Sequence, residues 1–108
     1  MAQDFERHID RATGTSAVTV FTSNSDDTIV GIRCANIAAA AITVDVYIRN
    51  SSANYYLIKG APIPIGSALE LIDGGSKIIL QSGDALTVLS NTASSLDTVV
   101  SRIDAIST

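Results

Sequence analysis

The sequence is poor in the residues from which most enzymes and metal sites are built. Its 108 residues include one histidine, one cysteine, one methionine and no tryptophan. The single cysteine, Cys34, leaves no partner for an internal disulfide or a multi-thiolate metal centre. Charge is scarce as well: Asp, Glu, Lys and Arg make up 17% of the chain, below the usual quarter. The seven Lys and Arg residues are scattered and the formal net charge is −4, so the chain offers no patch that could neutralise several phosphates. No apolar run reaches the roughly 18 residues that a membrane helix needs. The opening MAQDFERHID is charged throughout and lacks the apolar segment of a signal peptide. These absences predict a protein made in a cytoplasm, with no membrane or nucleic-acid partner, no cofactor and no metal. They also speak against an enzyme.

What is present is aliphatic. Hydrophobic residues account for 46% of the chain, which at this length suffices for one layered core. Their order is mostly period two. In Ile42-Thr43-Val44-Asp45-Val46-Tyr47-Ile48-Arg49, four aliphatic residues alternate with polar or amphipathic ones, which predicts a strand with one buried face. Further strands are expected at Ala17–Phe21, Thr28–Cys34, Tyr55–Lys59, Ala68–Ile72, Lys77–Leu80 and Ala85–Leu89. Within Thr28–Cys34 the spacing places Val30, Ile32 and Cys34 on one side, with Gly31 as a bulge or close-packing point. Turn formers separate the segments: Ser23-Asn24-Ser25-Asp26-Asp27, Asn50-Ser51-Ser52, Asp73-Gly74-Gly75, Ser82-Gly83-Asp84 and Asn91-Thr92-Ala93-Ser94. Gly74-Gly75 and Ser82-Gly83-Asp84 read as two successive hairpins. Pro62 and Pro64 bar Ala61–Gly66 from a central strand and make it an extended crossover, where the chain changes sheets.

The pattern predicts an all-β fold, an antiparallel β-sandwich of jelly-roll type with about eight short strands. The ends are ambiguous. Phe5, Ile9 and Ala12 fit a helix face, whereas Phe5, Arg7, Ile9 and Arg11 fit a strand. Leu96–Ile106 is favoured as a strand over a helix, because Thr98-Val99-Val100 is β-branched. The expected organisation is an N-terminal arm, residues 1–13, that orders on a partner, followed by the sandwich domain, residues 14–108.

No constellation for catalysis emerges. His8 sits among charged neighbours in the arm and reads as a surface residue rather than a general base. Cys34 reads as a small buried hydrophobe without an activating partner. Asp26-Asp27 reads as part of a turn, and Asn50-Ser51-Ser52 matches a glycosylation triplet by chance. Tyr47, Tyr55 and Tyr56 could make a sugar-binding platform, but packing in a subunit interface is favoured. The interface candidates are Phe5, Ile9, Tyr47, Arg49, Tyr55 and Tyr56.

The run from Tyr55 to Val88, YYLIKGAPIPIGSALELIDGGSKIILQSGDALTV, resembles small virion structural proteins of tailed bacteriophages, especially those of cyanobacterial and other aquatic hosts. In that group an APIPxGSxLEL segment leads into GGxKIxLxxGDxLxV, then a Ser/Ala-rich turn and a last strand. Asn91–Ser95 and Leu96–Ile106 stand in those final places, and Gly14–Val20 and Asn36–Ile48 also fit. Ala38–Ala41 departs from the pattern, with four alanines where a polar turn is usual, and suggests a loop covered by an assembly contact. The resemblance implies a β-sandwich that decorates or joins parts of a particle, with no catalytic residues. The expected protein is a capsid decoration or cement protein of the virion, assembled in the bacterial host and oligomeric, with a trimer one candidate state. Its partners would be the major capsid protein or tail proteins. A tail, neck or baseplate component and a carbohydrate-binding module are the rival readings.

Overall fold

A computed structural model describes residues 4–72 and 78–107. They form nine strands and no helix: β1 Asp4–Thr13, β2 Val18–Thr22, β3 Asp26–Asn36, β4 Ile42–Asn50, β5 Ala53–Ile63, β6 Ala68–Glu70, β7 Ile78–Leu80, β8 Ala85–Ser90 and β9 Leu96–Ser107. The strands make two antiparallel sheets. The first has the order β1-β9-β3-β6, with β7 also on β3; the second has the order β2-β8-β4-β5. β6 pairs with Arg33–Ala35 and β7 with Asp27–Ile29, both antiparallel to β3, so the two short strands follow one another along a single lane. Counted that way the sandwich has eight lanes, four to a sheet. The chain alternates between sheets at nearly every connection, which is jelly-roll topology.

Between the sheets lies an aliphatic core of Ile29, Ile32, Cys34, Ile42, Val44, Val46, Ile63, Leu80, Leu86, Val88, Leu96 and Val100, with Phe21 at its margin. β4 shows why the alternation signal is dependable. Ile42, Val44 and Val46 are buried in the core, while Thr43 and Asp45 face outward, as period two dictates. The β4–β5 hairpin turns on Ser51 and Ser52, both with positive φ (51° and 67°), the geometry whose twist suits a two-residue hairpin. The would-be glycosylation triplet is therefore a turn.

Local turn signals mark where the chain reverses, not which sheet receives it. Gly74-Gly75 lies outside the described residues; β6 and β7, on either side of it, both pair antiparallel with β3. Ser82-Gly83-Asp84 is a turn, with Gly83 at φ 93°, yet it passes the chain from β7 in the first sheet to β8 in the second. In β3 the register shifts between Ile29 and Gly31. This bulge moves Val30 to the outer face, 39% exposed, and gives its place in the core to Ile29. The expected Val30-Ile32-Cys34 stripe becomes Ile29-Ile32-Cys34.

The proline segment behaves largely as its chemistry requires. β5 is the edge of the second sheet, so Pro62, paired with Thr43, can lie within it. The change of sheet follows between Ile63 and Ala68, with Ile63 buried and Ile65 exposed. Asn36, buried at the end of β3, ties this crossover to the alanine loop. Its Nδ2 donates to the carbonyls of Ala40 (2.8 Å) and Ile63 (3.0 Å), and its Oδ1 accepts from Ala38 N (2.8 Å). Ala39, Ala40 and Ala41 themselves are exposed.

Candidate interaction surface

Residues 4–13 of the segment expected to wait for a partner are ordered on the chain's own sheet. β1 pairs with β9 in unbroken register from Asp4↔Asp104 to Asp10↔Thr98. The strand pattern of Phe5, Arg7, Ile9 and Arg11 therefore prevails over the helical one. Those four side chains point outward and are exposed, whereas Glu6, His8 and Asp10 turn inward and are partly covered.

What β1 meets on its inner side is not the aliphatic core but an ion cluster around Arg102 of β9. The Arg102 side chain is 8% exposed and that of Asp27 is fully buried; their Nη1···Oδ2 distance is 2.5 Å. Nη1 also donates to Asp104 (3.1 Å), Nη2 to Glu6 (2.9 Å) and Nε to His8 Nε2 (2.8 Å). Ser23 and Ser25 add hydroxyl donors to Asp27 at 2.5 and 3.1 Å. Phe21 of β2 closes the cluster from the other sheet. The His8 ring stacks on it at 4.4 Å and 10°, and the Arg102 guanidinium lies 4.7 Å from its centroid. Burial lowers the pKa of His8 and the neighbouring Arg102 charge lowers it further, against the opposing pull of Glu6, Asp27 and Asp104. Because His8 Nε2 accepts a hydrogen bond from an arginine, the imidazole is neutral with its proton on Nδ1.

This cluster corrects two readings of the sequence. His8 is a structural acceptor, not a surface residue, and Asp27 is the buried start of β3, not a turn carboxylate. Nothing local betrays either, since Arg102 is 75 residues from Asp27 and 94 from His8. Carboxylate oxygens of Asp4, Glu6 and Asp104 come within 4.8 Å of one another, but Arg102 already neutralises two of the three. Cys34 sits fully buried, where desolvation pushes its thiol up to about 11, with the Thr98 hydroxyl pulling the other way. His8, Asp27 and Arg102 are thus engaged in holding strands together, and Cys34 is enclosed in the core.

The outer face of the first sheet is different in kind. Phe5 is 82% exposed, and register aligns it in one row with Ile103, Thr28 and Ile79. A second row carries Ile9, Val99, Arg33 and Glu70. Val30 lies between them at the bulge. Beside Ile9 a shallow concavity of about 520 Å³ opens among Asp10, Arg11, Asp97, Thr98 and Val99. Of the expected interface residues, the fold brings Phe5 and Ile9 together here.

Tyr47, Arg49, Tyr55 and Tyr56 are gathered on the second sheet instead, on β4 and β5. Tyr47 is buried, its ring 5.0 Å from that of Tyr56, while Lys59 Nζ lies 4.3 Å over the Tyr56 ring. Arg49 donates to Asn54 (2.8 Å). Tyr55 and Tyr56 are exposed and Tyr47 is not, so the three do not make a common flat platform.

No family model matches the sequence, and no curated protein matches it. Among solved structures, the chain is similar to one from the "Acidic stable capsid structure of Helicobacter pylori bacteriophage KHP30", with a TM-score of 0.62 at 7% identity, covering 95% of this chain and 87% of that one. At that identity the likeness is one of fold. It extends over nearly the whole sandwich and is to a chain from a phage capsid structure; it does not extend to the expected cyanophage-like cement type.

Proposed function

We propose that this chain is a non-enzymatic structural protein of a tailed-phage virion, a capsid decoration or cement protein that bridges neighbouring major capsid subunits and stabilises the head. The observation that carries the reading is the fold-wide similarity to a chain of a phage capsid structure. Fold alone hosts many functions, so the side chains must narrow it. His8, Asp27 and Arg102 lock strands together, Cys34 is enclosed, and the exposed apolar residues Phe5, Ile9, Val30, Ile79 and Val99 share one sheet face. Such a surface suits contact with other proteins. On the shell the chain would act as an oligomer, adding buried area at joints that internal DNA pressure strains. Particles assembled without it lose heat and salt resistance under this reading. Capsids of unchanged resistance would overturn it.

A further inference from the structure

The sandwich has four sheet edges, and three are blunted. β2 is five residues long with a register shift between Thr19 and Phe21. β6 and β7 have three residues each. β5 is long, but it carries Pro62, Lys59, a left-handed Gly60 (φ 66°) and two register shifts against β4. Such devices are how sheet proteins discourage strand addition. β1 has ten residues, no proline and no lysine, and its ladder is regular from Asp4 through Asp10; its one register shift, with Ala12 at φ 55°, is confined to the end, between Asp10 and Thr13. Its second edge is open.

Charge on this strand is segregated from the rest of the molecule. The protein is acidic, at −4. Most of its described cations are engaged: Arg33 with Glu70, Arg49 with Asn54, Lys59 over Tyr56, Arg102 in its cluster. Arg7 and Arg11, among the described residues, meet no carboxylate within salt-bridge distance, and both project from the outer face of β1 in alternation with Phe5 and Ile9. We infer that β1 is a docking edge for an extended segment of a different protein, one that alternates acidic and apolar residues. Side chains directly opposite each other in a sheet point to the same face. A strand laid along β1 would therefore set carboxylates four residues apart against Arg7 and Arg11, and apolar residues, each two positions from a carboxylate, against Phe5 and Ile9. Main-chain pairing supplies affinity and the alternate side chains supply selectivity. A second copy of this chain is a poor occupant, because antiparallel pairing of β1 with itself that sets Phe5 against Ile9 also sets Arg7 against Arg7.

In the particle, the partner would be a shell or tail subunit; that placement rests on the proposed function, while the docking chemistry does not. A fluorescent peptide alternating Thr with Asp and Val tests it, titrated onto the full chain at low salt and compared with the same peptide carrying Lys for Asp. The Asp peptide should bind about tenfold more tightly, as two exposed ion pairs allow. The Arg7→Glu/Arg11→Glu variant, which touches no buried group, should keep the wild-type circular dichroism and melting curve and reverse the preference. Equal binding of both peptides, or a preference the variant leaves unchanged, would overturn the inference. So would sedimentation showing self-association that Phe5→Asp abolishes. Absence of the chain from particles, with peptide selectivity intact, would instead remove the virion reading and leave the docking edge standing.

Discussion

β1 and β5 are the two long edge strands, and they are held in opposite ways. β5 sends Ile63 into the aliphatic core and packs Leu57, Ile58 and Ala61 against it. β1 contributes no side chain to that core; its inner face is fixed by Glu6 and His8 on Arg102 and by the His8–Phe21 stack. Hydrophobic contact tolerates small shifts, and β5 is accordingly irregular, bulged twice and closed by proline. An ion cluster is directional and desolvated, so it demands its geometry. The ladder of β1, regular from Asp4 through Asp10 along the anchored stretch, and its open outer edge follow from that anchoring. One edge is finished by its own sequence, whereas the other is left as a surface.

Removing the anchor should separate the two strands most sharply. Arg102→Ala leaves Asp27 charged and enclosed, so it should cost about 3–5 kcal/mol in urea unfolding, with amides of β1 losing exchange protection before those of β5. Uniform loss across both sheets would contradict a locally anchored β1. The complementary change is Ile63→Val, which should cost about 1 kcal/mol and leave the protection of β1 untouched. A third prediction uses pH. The folded-state pKa of His8 is depressed below 6.5, so the unfolded chain binds the proton more readily. Stability contributed by neutral His8 is complete above pH 6.5 and falls as pH drops through the depressed folded value. Melting curves should show that loss, and His8→Gln should flatten it over the same interval. The smallest effect belongs to the outer face: Phe5→Ser should change stability by no more than about 0.5 kcal/mol, because Phe5 is 82% exposed. A large loss would mean that Phe5 supports the fold and is not free for a partner.

The same contrast explains what the sequence discloses. β4 is legible because Ile42, Val44 and Val46 obey a period that only a half-buried strand has. Pro62 signals an edge because it lacks a donor, and Gly31 signals a bulge because it has no side chain to pack. These are local causes. The choice of sheet after Ser82-Gly83-Asp84 is not local, nor is the exchange of Val30 for Ile29, which depends on where the register of β3 slips against β9. The Arg102 cluster is the extreme case, uniting residues 6, 8, 27, 102 and 104. Taken singly, an exposed-looking His8 and a turn-like Asp27 carry no mark of the partner that buries them. Phe5 and Ile9 stand out by their alternation with arginine; their shared face with Ile79 and Val99 needs the strand order.

The most direct test of the virion assignment is copy number in purified phage particles, measured by quantitative mass spectrometry against the major capsid protein. A decoration protein of the shell predicts a ratio approaching one to one. A few copies per particle would contradict the shell role and move the protein to the neck or tail, and its absence from the particle would contradict the structural role altogether.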